Sequence, residues 1–106
     1  MISVNLYYTG TKGSAREFVK EMETSGIADA VRQEEGNLSY RYFFPADDPE
    51  TVLLIDSWAD QQAIDRHHES PMMKQIAALR EKYDLHMKAQ RFISEDLGTD
   101  EKFLRK

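Results

Sequence analysis

Four consecutive residues, Val52-Leu53-Leu54-Ile55, constrain this chain more than any others. They lie in a run from Thr51 to Trp58 that reads as a β-strand, and strand side chains point alternately to opposite faces. A strand that is apolar at every position is one covered on both sides. Directly after it the apolar spacing changes. Ala63, Ile64 and His67 fall at i, i+1 and i+4, the stripe of a helix, so the chain passes from strand to helix just beyond Trp58. A central strand therefore ends on a carboxylate, Asp56, and an indole, Trp58, and feeds a short helix with a histidine on its inward face.

The other elements put that strand in a sheet. Ile2, Val4, Leu6 and Tyr8 alternate with Ser3, Asn5 and Tyr7, a strand with one apolar face. After the turn Thr9-Gly10-Thr11-Lys12-Gly13, Ala15, Phe18, Val19 and Met22 repeat at helical spacing. Ser25-Gly26 interrupts that helix, because glycine costs about 1 kcal/mol relative to alanine in a helix interior. Ile27, Ala30 and Val31 resume the stripe up to Gly36, a residue suited to a left-handed helix end. Leu38 to Phe44 is an aromatic strand, with Leu38, Tyr40, Tyr42 and Phe44 on one face and Ser39, Arg41 and Phe43 on the other. The turn from Pro45 to Glu50 leads into the central strand. Beyond His67, Ser70-Pro71 starts another helical segment, lined inside by Met72, Met73, Ile76, Ala77, Leu79 and Tyr83. A last strand covers about Leu85 to Ile93, and residues 94–106 form a charged tail.

Composition removes several classes of function. A length of 106 residues supports one domain, and no stretch approaches the roughly 20 apolar residues of a membrane span. The net charge is −5 and Lys and Arg are nowhere clustered, which argues against nucleic acid as a partner. With no cysteine there is no disulfide, thiolate metal site or cysteine nucleophile. The start, Met1-Ile2-Ser3-Val4-Asn5, carries no basic region ahead of an apolar run, so a cytoplasmic location is expected. The turn Gly10-Thr11-Lys12-Gly13 is too short for a phosphate loop, and no dinucleotide fingerprint is present.

The element order β-α-β-β-α-β is that of the ferredoxin-like α+β fold, an antiparallel sheet with helices on one face, here over residues 1–93. Helices cover only one side of Val52 to Ile55. A second copy of the chain related by a two-fold axis is the simplest cover for the other, so a homodimer through the sheet faces is expected. Whether Val52 and Leu54 or Leu53 and Ile55 face the partner does not follow from the pattern.

Several runs together carry a family resemblance: Glu35-Gly36-Asn37-Leu38-Ser39-Tyr40, Asp47-Asp48-Pro49-Glu50-Thr51-Val52-Leu53-Leu54, Asp56-Ser57-Trp58, Ala63-Ile64-Asp65-Arg66-His67 and Ser70-Pro71. From about Ile2 to Ile93 the chain resembles the antibiotic biosynthesis monooxygenase superfamily. The resemblance implies a dimeric α/β barrel and a group of activities: cofactor-free oxygenases of aromatic polyketides and quinols, a sugar-phosphate isomerase, haem-degrading enzymes, and proteins of no known activity. Asp56 stands where members usually have Glu, which shortens the carboxylate's reach. The haem-degrading branch implies an Asn on the first strand, a Trp on the short helix and a ligating His on the next. Asn5 matches the first, but His67 occupies the Trp position and Ala77 the ligand position. Haem is not expected.

Each candidate site residue has a plain structural alternative. His67 is a general base, titrating near neutrality as histidines do, or a buried histidine bonded to backbone or Asp56 that holds the helix to the strand. His68 lies about 100° round the helix, on its shoulder, and no i, i+4 histidine pair exists to hold a metal. Trp58 is core or the wall of an aromatic pocket. Tyr40 and Tyr42 line the pocket or fill the dimer interface. Asn5, an amide on an inner strand, is a candidate to orient a ligand or dioxygen. Glu34-Glu35 and Asp47-Asp48 read as solvated surface, and Met72 and Met73 as core filler. The combined expectation is a cofactor-independent monooxygenase oxidising a small aromatic, phenolic or quinol substrate. His67 and Asp56 are then catalytic, Asn5, Tyr40 and Trp58 bind substrate, and neither metal nor cofactor takes part. The competing reading is a non-oxygenase that binds or isomerises a small metabolite on the same fold, for which Arg or Lys must converge on an anion. Arg41, Arg66 and Arg91 are near the right elements for that role, with Arg66 expected on the outward side of its helix.

Overall fold

A computed structural model describes residues 1–106. Strands β1 (Ile2–Thr9), β2 (Asn37–Phe43), β3 (Thr51–Trp58) and β4 (His86–Ile93) form one antiparallel sheet in the order β2-β3-β1-β4. Helices α1 (Ser14–Thr24) and α2 (Ile27–Arg32) connect β1 to β2, and α3 (Gln61–His68) and α4 (Pro71–Lys82) connect β3 to β4. This is the ferredoxin-like α+β fold, with each helical layer broken in two. Gly26, at φ 84°, separates α1 from α2. Asp60 caps α3 by accepting from the Ala63 N–H at 2.9 Å, and Pro71 opens α4.

Register decides what the two-sided strand does with its faces. Val52 pairs with Tyr8 and Leu54 with Leu6, so these side chains share the helix-covered face. Val52, Leu54, Trp58 and Tyr8 are fully buried there, packed with Phe18, Met22, Val31 and Ile76. Leu53 and Ile55 therefore point to the uncovered face and are only partly buried by their own chain. β2 carries a bulge at Leu38, which leaves that residue 56% exposed instead of on the face of Tyr40 and Tyr42. Tyr40 and Tyr42 point to the helices, their rings 5.7 Å apart at right angles, so they cannot belong to an interface on the open sheet face. Ala77, expected inside, is exposed.

The edge strand β4 is exposed at every position, and so is the tail, whose regular part is a 3-10 turn at Gly98–Phe103. No helix is long and apolar enough to cross a membrane.

Candidate active site

A cavity of about 370 Å³ opens between the sheet and the second helical layer. β1 contributes Val4 and Leu6, β3 Asp56 and Trp58, α3 Ile64, His67 and His68, α4 Met73 and Arg80, and β4 Met87, Ala89 and Arg91. Trp58 and His67 form one wall, their ring centroids 4.8 Å apart and the planes inclined by 32°. Trp58 is in place because it ends β3 on the helix face. His67 is in place because Ala63 and Ile64, one turn earlier on the same stripe, are buried against the sheet.

The partner of His67 is Glu34, not Asp56. His67 Nδ1 lies 3.0 and 3.1 Å from the two oxygens of Glu34. Both side chains are largely buried, with 9% and 13% of their surface exposed, so Glu34 is not the solvated residue expected of an acidic pair. A carboxylate only accepts, so Nδ1 carries the proton and donates, and in the neutral ring Nε2 holds the lone pair. Nε2 has no hydrogen-bond partner in the chain and is not sealed off, and the ring borders the cavity. The contact depends on the turn Glu34–Asn37, closed by the Asn37 N–H to the Glu34 carbonyl at 3.1 Å. Gly36 in that turn has φ 84°, and a Cβ there would stand 2.5 Å from the Ala63 Cβ. Only glycine lets the turn lie against α3 and bring Glu34 within reach of His67.

Asp56 is 5% exposed and accepts from Trp58 Nε1 through Oδ2 at 2.7 Å, while Oδ1 is buried without a partner. Burial pushes its carboxyl above the ordinary carboxylate range, opposed by the Trp58 hydrogen bond and by the charges of His67 and His68. Asp56 therefore fixes the indole and makes no hydrogen bond to His67. His68 is exposed at the cavity rim, its ring centroid 5.8 Å from that of His67.

Two expected residues stand elsewhere. Asn5 pairs in register with Ile55 and Gln90 on the sheet face away from the cavity, because β1 sends Val4 and Leu6 to the helix side. Tyr40 is the cross-strand partner of Asp56, but it is 3% exposed and packed behind it, with its hydroxyl 3.4 Å from that of Tyr42. Burial raises the pKa of both phenols. Neither Asn5 nor Tyr40 lines the cavity. Arg80 does, and it is the residue missed on α4. With Ile76, Leu79 and Tyr83 it falls at i, i+3, i+4 and i+7, so an arginine on an apolar stripe was the available signal. Glu34 left no such signal, since its contact spans 33 residues. No three His, Asp or Glu side chains come together as a metal-binding group.

A sequence model of the family "Antibiotic biosynthesis monooxygenase" matches residues 1–79, three-quarters of the chain. The chain belongs to the antibiotic biosynthesis monooxygenase family. No curated protein matches it in sequence. Among solved structures it is similar to a suggested antibiotic biosynthesis monooxygenase from Deinococcus radiodurans, with TM-score 0.78 and 20% identity over 91% of this chain and 94% of that one. PA3566 from Pseudomonas aeruginosa is similar with TM-score 0.76 and 20% identity, over 90% and 94% of the two chains. SnoaB, a cofactor-independent oxygenase from Streptomyces nogalater, is similar with TM-score 0.74 and 16% identity, over 90% and 93%. At these identities the structures establish a shared fold, and the family assignment rests on the sequence match.

Proposed function

We propose that this family member is a cofactor-independent monooxygenase of a small aromatic, phenolic or quinol substrate, with His67 as its base. The observation that carries the reading is the Glu34–His67 pair: one imidazole nitrogen is locked by a carboxylate, and the other is left with its lone pair at an apolar cavity beside an indole. Family membership and the likeness to SnoaB support the same class of chemistry.

A phenol reacts with dioxygen once it has lost its proton, because the phenolate is a much better electron donor. His67 Nε2 takes that proton, and Glu34 stabilises the imidazolium that results. The phenolate transfers one electron to dioxygen, and the radical pair recombines as a carbon-bound peroxide. The His67 imidazolium returns its proton to the peroxide, and loss of water, which takes the hydrogen of the peroxide-bearing ring carbon, leaves a quinone with one oxygen atom in the product and the other in the water. Trp58 supplies a stacking wall, and Val4, Leu6, Ile64 and Met73 keep the ring in an apolar setting.

The test is oxygen uptake with a panel of reduced quinones and phenols, with and without added flavin or EDTA. The expected result is turnover that neither addition changes. His67→Ala should lower it by about a hundredfold or more, while His68→Ala leaves it near that of the parent. Unchanged turnover in His67→Ala with a substrate the parent oxidises would make His67 a structural histidine. The two arginines at the cavity favour one second reading, an isomerase or binding protein for an anionic metabolite, distinguished by ligand conversion without oxygen uptake.

A further role for this chain is as half of an assembly. The open sheet face, with Leu53, Ile55 and Phe43 on it, supports a homodimer in which a second copy covers that face.

A further inference from the structure

We infer that the cavity is built for an aromatic acid, its ring against Trp58 and its ionised oxygen on the guanidinium of Arg80. The inference rests on the reading of this cavity as the substrate site and narrows the substrate to an anionic class.

Arg80 is drawn inward by its place on the apolar stripe of α4, and its side chain is half-buried at the cavity. Nη2 donates to the Tyr8 hydroxyl at 2.8 Å, and the guanidinium carbon sits 5.4 Å from the centre of the Tyr8 ring. These contacts fix the head without neutralising it. Nε is buried with no partner, and Nη1 has no partner in the chain yet is not sealed off. No carboxylate lies within ion-pairing distance of Arg80, although Arg32, Lys82, Lys106 and His67 each have one. A half-buried guanidinium with no carboxylate beside it is a ready partner for an anion that enters the cavity.

A second fixed positive charge stands at the cavity, Arg91 on β4 at the exposed side. Asp56 is the one carboxylate of the lining, and its Oδ2 is already engaged by Trp58. A chain of net charge −5 thus places two arginines, Arg80 and Arg91, at this cavity, which attracts and orients an anion. A carboxylate oxygen can accept from Nη1, which is free and not sealed off, while Trp58, Val4, Leu6, Ile64 and Met73 give an aromatic ring an apolar wall.

Isothermal titration calorimetry without oxygen, comparing 3-hydroxy-2-naphthoate with 2-naphthol, isolates the acidic group, since ring and hydroxyl are common to both. The acid should bind the parent protein about tenfold more tightly than the naphthol, the value of one charge-assisted contact. Arg80→Gln should remove that preference and leave 2-naphthol within about threefold of its parent affinity. The parent comparison decides the matter even if Arg80→Gln fails to fold. Equal affinities, preference for the naphthol, no binding of the acid at millimolar concentration, or equal weakening of both by Arg80→Gln would each overturn the inference. Binding of the acid together with no oxygen uptake from any reduced quinone or phenol, acidic ones included, would sink the oxygenase reading and leave this one standing.

Discussion

His67 is held from two sides, by the carboxylate of Glu34 and by the face of Trp58. Glu34→Gln preserves an acceptor for Nδ1 but removes the charge that stabilises the imidazolium, so turnover should fall by about tenfold with KM little changed. Glu34→Ala removes a largely buried charge-assisted bond and should cost about 1.5–3 kcal/mol of stability, visible as a lower melting temperature. A Glu34→Ala protein as stable and active as its parent would reduce the pair to an incidental contact. Asp56 makes a separate prediction. Its folded pKa is raised, chiefly by burial, so the protonated form is the one folding favours. Its contribution to stability is fully present below the ordinary carboxylate pKa and is lost as pH rises through the raised value. The melting temperature of Asp56→Asn minus that of the parent should therefore become more positive from acid pH to neutrality. A difference that stays flat with pH would show Asp56 to be unperturbed. At this scale the sequence pattern was partly legible. Strict alternation in β1 already set Asn5 opposite Val4 and Leu6, and what drew it toward the site was the oddity of an amide on an inner strand, together with the family resemblance. Arg80 was legible from helical spacing alone, whereas Glu34 becomes a site residue through a turn whose approach to α3 leaves no local periodicity.

At the scale of elements, strands and helices followed from apolar period, since each except the exposed edge strand β4 buries one face or stripe against the same core. What the period left open was the facing of β3, apolar on both sides, and this was settled by its pairing with β1. The bulge at Leu38 was also hidden, because an extra residue in a strand changes pairing without changing composition. The junction of the α2–β2 turn with α3 is the most demanding local feature. Gly36 and Gly26 share φ 84°, yet a Cβ at Gly26 meets nothing, whereas one at Gly36 meets Ala63 at 2.5 Å. Gly26→Ala should lose only the cost of a left-handed alanine, about 1–2 kcal/mol. Gly36→Ala should lose clearly more in urea denaturation and should also impair turnover, because the turn must retreat from α3 and take Glu34 with it. Equal losses at the two positions would mean that the close approach is not held as described.

Taken whole, the chain is extended for its size. Its radius of gyration is 15.1 Å, against about 13 Å for a compact domain of 100 residues. The excess goes with β4 and the tail, which leave Phe92, Ile93, Phe103 and Leu104 half or more exposed, while Phe43 is 38% exposed at the other edge of the sheet. Of these, Phe92, paired with Ser3, and Phe43, paired with Leu53, lie on the open face of the sheet with Leu53 and Ile55, and exposed apolar surface there is rarely left to water. A homodimer through that face would bury Leu53 and Ile55 in the middle of the contact, because they lie on a central strand and point away from the helices. Light scattering at micromolar concentration should accordingly give twice the chain mass of 12.3 kDa. Ile55→Lys places a charge at the centre of the proposed contact and should shift the protein toward monomer, since an unpaired buried charge is not tolerated. Ser39→Lys, toward the edge of the same face, should leave the mass unchanged. A parent protein that runs as a monomer, or an Ile55→Lys variant that keeps the parent mass and melting temperature, would place the cover of this face elsewhere. The cavity lies on the opposite side of the sheet, so an Ile55→Lys monomer that still binds ligand would separate assembly from the chemistry at His67.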